Sequence, residues 1–291
     1  MMENRSVKQV LFAQKIDMGG LPVRQPFPTQ RVDQIDPFLL LHHHKSTISP
    51  DNHPGSIGVS PHPHRGFSPV TFVLKGEVHH RDSRGNNSIV EAGGVQWLNA
   101  GMGIIHSERP SKKIAENGGV QEIIQLWINS PQIHKMDQPA YKALQKSDMP
   151  LIIGGDGLSE IKLISGELEG KKGPFKANSP LIILWGRMKT AGKKQINIPK
   201  EYNTSIYFIE GKAHIENFGI SEALNMIYFE NDGEQISITA KKDLEFLLIS
   251  GKPINEPVAS HGPFVMNTQT EIMTAMRDYQ LGRMGVLIEE F

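Results

Sequence analysis

Apolar residues in this chain come in short runs that alternate with polar ones and are cut by glycine, proline or asparagine before they reach helical length. Residues 70–74 read Val-Thr-Phe-Val-Leu and end at Lys75-Gly76, 77–81 continue extended, Asp82-Ser83-Arg84-Gly85-Asn86-Asn87 has the composition of a hairpin turn, and 88–91 return. Runs of this length and period, bounded by turn residues, predict strands. Further strands are predicted at 95–98, between Gly93-Gly94 and Gly101, and at 121–128. Upstream, 7–45 mix short apolar runs with turn signals, and Asp36-Pro37-Phe38-Leu39-Leu40-Leu41 predicts a buried strand. The stretch 46–60, rich in Ser, Pro, Asn and Gly, reads as a loop suited to a flap at a site entrance. Many short strands with frequent glycine turns predict an all-β chain of jelly-roll sandwiches.

The pattern then repeats. Phe72-Val73-Leu74-Lys75-Gly76-Glu77-Val78-His79 lines up with Tyr207-Phe208-Ile209-Glu210-Gly211-Lys212-Ala213-His214, and at nearly the same offset Trp97-Leu98 lines up with Tyr228-Phe229. A near-constant offset predicts two copies of one fold. Between them, 131–150 carry Pro131, Pro139 and Pro150 and read as a crossover, so the boundary is expected near residue 135, with domains 1–135 and 136–291. At the chain's end the pattern changes period: Thr268 followed by Glu271 reads as a capping box, and Ile272, Ala275, Met276 and Tyr279 form a stripe at helical spacing, expected to pack into a core.

Composition narrows the class. The chain has 291 residues, enough for two cores, and 38% of them are hydrophobic, so it folds rather than staying disordered. Lys plus Arg and Asp plus Glu both number 31, which argues against direct nucleic-acid binding or attraction to an anionic membrane. There is no cysteine, so no disulfide, thiolate metal site or thiol nucleophile exists. The opening Met1-Met2-Glu3-Asn4-Arg5 lacks the apolar core of a signal peptide, and no later run is long enough to span a membrane. The expectation is a soluble cytoplasmic monomer.

The chemistry concentrates in 61–110. His62 and His64 sit one residue apart in a segment read as extended, so their side chains point the same way and can grip one ion. His106 and Glu108 repeat that spacing. Three imidazoles and one carboxylate suit Fe(II), Mn, Ni, Cu or Zn and argue against a pure Ca or Mg site. An octahedral ion held by four groups keeps about two open positions, which permits catalysis, and Glu108 can act as ligand or general base. Arg65 and Gln96 are candidates for the mouth of the site, and Phe67, Trp97 and Met102 for an apolar wall. His42-His43-His44 cannot converge on one ion, because neighbours in a strand face opposite ways, and is read as surface or as outer support for the site. In the second copy, His62, His64, His106 and Glu108 are replaced by Asn197, Pro199, Ser237 and Thr239, none of them a plausible ligand here.

HPHRGF at 62–67, the Gly76 that ends the next strand, GGVQWLNAGMGIIHSE at 93–108 and GPFVMNT at 262–268 together resemble the pirin family of bicupins. The segment at 36–41 resembles it too, although the family often continues there with an acidic residue where this chain has His42. The family's usual acidic residue four positions after His64 is Ser68 here, which leaves Glu108 as the one carboxylate of the site. The resemblance implies tandem cupin barrels, a metal in the N-terminal one, and a C-terminal segment packed back on that domain. It places Fe(II) first as the metal, with Zn, Mn, Ni, Co or Cu as alternatives. It also implies an activity like quercetin 2,3-dioxygenase, which opens a flavonol ring with dioxygen and releases carbon monoxide. Other members imply a different role, as metal- or redox-dependent partners of a transcription factor or metabolic enzyme.

Overall fold

In the computed structural model residues 3–291 are described; Met1 and Met2, which open the stretch read above for a leader, lie outside the described residues. Strands account for 53% of the chain and helix for 9%, so the all-β expectation holds. Among the described residues no helix is long and apolar enough to cross a membrane.

Two compact units divide the chain, and not at residue 135. One unit holds 40–147 with Asp17–Val23 and Asn255–Phe291; the other holds Asp148–Ile254 with 3–16 and Arg24–Leu39. Two strand pairings account for part of the difference. Ala140–Leu144, inside the stretch read as a crossover, pairs antiparallel with Val95–Asn99 and so extends the first unit's sheet past residue 135. Val7–Phe12 pairs with Asn225–Phe229, which takes the N-terminus into the second unit. Strand alternation says that a segment needs a sheet edge but not which edge it finds.

The repeat is visible in each unit separately. In the first, Phe67–Lys75 runs between Val95–Asn99 and Gly119–Asn129; in the second, Asn203–Glu210 runs between Asn225–Phe229 and Leu244–Gly251. Each unit also has a four-stranded sheet. Both copies leave the central strand through the matching glycine, Gly76 at φ +77° and Gly211 at φ +89°, where a Cβ would meet a carbonyl oxygen at 2.6 Å and 2.0 Å respectively. No L-residue fits that turn without displacing backbone. The second unit's interior is filled by apolar side chains such as Ile196, Ile206, Phe208, Ile236 and Ile238.

The C-terminal helix, Gln269–Gln280, forms with its capping box complete: Thr268 receives the Glu271 amide and Glu271 receives the Thr268 amide. Its buried face differs from the predicted stripe. Ile272 and Ala275 are buried, but Met276 and Tyr279 are exposed, and the third buried residue is Asp278. The helix is rotated because Asp278 accepts a bond from the buried Arg65 Nη1 at 3.0 Å. An arginine so enclosed needs a partner, and that outweighs burying the Met276 side chain. A short helix missed by the sequence reading, Lys112–Asn117, starts at Ser111, whose hydroxyl caps Ile114.

Candidate metal centre

Four strands carry the site, in the order Val59–His64, Ile104–Arg109, Glu77–Asp82, Asn87–Glu91. Antiparallel register sets His106 opposite His62 on one side and Asp82 on the other, so the i, i+2 pairs read from the sequence meet across neighbouring strands. The histidine strand leaves through Gly66, at φ +86°, where a Cβ would lie 2.0 Å from the Val265 carbonyl. Glycine at this position is what allows the 262–266 segment to pack against the ligand strand.

His62, His64 and His106 present donor nitrogens that all lie within 4.8 Å of one another, with the Nε2 atoms of His62 and His64 3.1 Å apart. Their outer nitrogens explain the orientation. His62 Nδ1 donates to the Ser60 carbonyl at 2.8 Å and His64 Nδ1 to the Pro263 carbonyl at 3.4 Å. A neutral imidazole that donates from Nδ1 has a bare lone pair on Nε2, so two lone pairs face each other. The His106 Nε2 is buried and makes no hydrogen bond. Converging lone pairs and an orphaned buried nitrogen are costly unless a cation sits among them. Burial, and then the neighbouring imidazoles, push His64 and His106 well below the usual histidine range. Burial also lowers His62, against the opposing pull of the Ser60 carbonyl and the Glu108 charge. The rings are therefore neutral, the form that ligates. Three such nitrogens fit a divalent transition metal.

Glu108 is not one of the three clustered groups. It is buried nearby, and its carboxylate is held by three donors: Thr71 Oγ1 at 2.7 Å and Gln96 Nε2 at 2.5 Å on Oε1, and Gln125 Nε2 at 2.6 Å on Oε2. These three form a cross-strand row, Gln96 opposite Thr71 and Thr71 opposite Gln125. Each amide is oriented by a further bond, since Gln96 Oε1 accepts from the Tyr141 hydroxyl and Gln125 Oε1 from Trp127 Nε1. The next residue, Arg109, is clamped by Glu289, whose carboxylate takes both Nε and Nη2 at 2.7 Å.

Several expectations change. Arg65 does not line a mouth: it is 3% exposed and donates to the Met102 carbonyl and to Asp278. Gln96 is likewise buried, behind Glu108. Because Gln96 points at Glu108, its strand neighbour Trp97 points the other way and is not the wall. The aromatic rings against His64 are Phe67, fully buried, and Trp127, half-buried, with centroids 5.0 Å and 5.4 Å away. His42, His43 and His44 are not on the surface but buried, because their strand, Phe38–Ile48, lies inside the sheet beside Gly119–Asn129. His43 Nε2 bonds Glu122 at 3.1 Å, and His44 bonds the Pro22 carbonyl and Ser46. Thr71, Gln125 and Trp127 were missed because only strand register brings them together. A cavity of about 340 Å³ in the second unit contains none of these groups; its walls include the ion pairs Arg187–Glu245 and Lys189–Asp243.

Comparison with known proteins agrees with this architecture. Residues 20–128 match the family model described as Pirin, and 183–285 match that of the Pirin C-terminal cupin domain. A pirin-like protein of Solanum lycopersicum is 36% identical over 285 residues, covering 96% of this chain and 92% of its own. A crystal structure of quercetin 2,3-dioxygenase from Acinetobacter baumannii superposes with a TM-score of 0.92 at 34% identity, covering 98% of this chain and all of its own. A bacterial pirin from Escherichia coli in complex with nickel(II) shares the fold at 21% identity and a TM-score of 0.67, over 87% of this chain and all of its own.

Proposed function

The chain belongs to the pirin family, and from that premise we propose that it is a metal-dependent dioxygenase that opens a flavonol-like ring with dioxygen, at a site made by His62, His64, His106 and Glu108. The observation that carries the proposal is the convergence of three neutral imidazoles, with the Nε2 of His106 buried without a partner. A likeness to quercetin 2,3-dioxygenase over nearly the whole chain supports the substrate class. A divalent ion, Fe(II) first among the candidates, supplies a Lewis acid for the flavonol oxygen and a redox partner for dioxygen when bound.

This chain's residues do the rest. His62 and His64, pinned by carbonyls behind them, hold their lone pairs fixed, so little reorganisation is needed on binding. Glu108 is the oxygen donor of the set and the proton acceptor for the substrate hydroxyl. Thr71, Gln96 and Gln125 keep that carboxylate oriented toward the site rather than toward solvent. Trp127, half-buried beside His64, gives a flat aromatic substrate an apolar face, and Phe67 packs behind it.

Oxygen uptake with quercetin by chain purified and metal-loaded anaerobically tests the proposal. Glu108→Gln is expected to lower uptake at least about 100-fold, the usual worth of a general base. Uptake unchanged in that variant would remove Glu108 from the chemistry. A parent that binds metal but consumes no oxygen would end the enzyme reading and favour the regulatory one.

A further inference from the structure

His106 differs from the other two histidines in what stands behind it. Where they turn Nδ1 to main-chain carbonyls, His106 turns Nδ1 to the Nδ1 of His80, at 3.5 Å. A carbonyl can only accept, but an imidazole nitrogen accepts in one tautomer and donates in the other. The far side of His80 selects the tautomer. Its Nε2 lies 3.1 Å from Asp82 Oδ2, and both side chains are fully enclosed.

Asp82 is itself fixed. Oδ1 accepts the backbone N–H of Arg84 at 2.9 Å and of Asn86 at 3.0 Å, and Oδ2 accepts Asn86 Nδ2 at 2.8 Å. Burial works to raise its pKa, but these bonds and that from His80 outweigh it and hold the acid below its ordinary range. An ionised carboxylate only accepts, so in the neutral His80 ring the proton belongs on Nε2 and the lone pair on Nδ1. His106 then donates from Nδ1 and keeps a bare Nε2, the buried nitrogen that has no hydrogen-bond partner. The Tyr141 ring lies flat on His80, with centroids 3.9 Å apart and planes 6° from parallel, which prevents the imidazole from flipping. Register makes this arrangement possible: Asp82 is directly opposite His106, and His80 is two residues away on the same face.

We propose that Asp82 and His80 form a positioning dyad that fixes the tautomer of His106 and thereby strengthens its hold on a divalent transition metal. The affinity half of the proposal rests on the metal reading of the three histidines; the tautomer half does not. Outer partners of metal-bound histidines commonly change affinity by about 10–100-fold, and His80 is the only one of the three outer partners here that a side-chain substitution can remove.

The experiment uses the full chain with ¹⁵N-labelled imidazoles. In the metal-free parent, two-bond ¹H–¹⁵N spectra, with His106 assigned by comparison with His106→Gln, are expected to show the proton on Nδ1 and none on Nε2. His80→Phe keeps the stack on Tyr141 and removes the acceptor. It is expected to lower Co(II) or Ni(II) affinity, measured by competition with a chromophoric chelator, by about 10–100-fold with metal-free thermal unfolding near that of the parent. His80→Gln, whose side-chain carbonyl can accept from His106, is expected to recover most of that loss. A His106 protonated on Nε2 in the parent overturns the dyad, as does a His80→Phe chain that binds metal as tightly as the parent. A parent with the expected tautomer and no metal affinity upholds the dyad's control of the tautomer and overturns the metal reading.

Discussion

His64→Ala is expected to abolish metal binding, with elemental analysis falling from near stoichiometric in the parent to background after dialysis. His64 is one of the three clustered imidazoles. Its Nε2 faces that of His62 at 3.1 Å, and its ring touches both Phe67 and Trp127. Removing it leaves two imidazoles and Glu108, one nitrogen donor short of the set. The ring also fills volume, so the metal-free variant should lose stability by about 1–3 kcal/mol for the space left behind. The diagnostic quantity is the stabilisation that metal confers. With free metal at a thousandfold excess over its dissociation constant, the parent should gain about 4 kcal/mol, and the variant nothing. Thermal melts with and without metal separate the two effects. A variant that melts higher with metal would show that His64 is not a ligand.

The metal-free chain should also lose stability steeply as pH falls through mild acid, and His42 is the best-defined cause. Unfolded, this ring takes a proton near pH 6.5; folded, burial lowers its pKa to about 4. Between those values the unfolded chain carries a proton that the folded chain excludes, so stability is full above about pH 6.5 and declines as pH falls toward 4. For this ring alone the loss is about 3 kcal/mol. His64 and His106, also lowered by burial, act in the same direction. Glu122 adds a separate decline at lower pH. Burial raises its pKa, but His43, Lys45 and Lys75 outweigh that and hold it at about 2, so its contribution is present above pH 4.5 and is lost as pH falls toward 2. Urea unfolding at pH 7 and pH 4.5, for the parent and for His42→Phe, is the measurement. The variant should show the smaller drop, and equal drops would assign the acid sensitivity elsewhere.

What the sequence made legible follows from the range over which each feature acts. The i, i+2 histidines, the glycine turns, the repeat around Gly76 and Gly211, and the Thr268–Glu271 cap are set by neighbours within a few residues, and all of them stand in the structure. Features set by register or by long-range packing were not legible. The row Gln96–Thr71–Gln125 depends on which residues face each other across three strands. Arg65 reads as exposed until Asp278, 213 residues away, appears beside it. The pairing of the N-terminal strand Val7–Phe12 with Asn225–Phe229 depends on which edge is free, which alternation does not encode. His80 and Asp82 are a different case. They carry the same i, i+2 spacing in a predicted strand as the ligand pairs, and that spacing was a usable signal.

Anomalous diffraction from crystals of the chain grown with Fe(II) or Ni(II) would locate the ion. A single strong peak is expected at coordination distance, about 2 Å, from one nitrogen each of His62, His64 and His106, with a Glu108 oxygen as the fourth protein donor. A peak elsewhere, or one at the histidines with no Glu108 oxygen within coordination distance, would contradict this assignment.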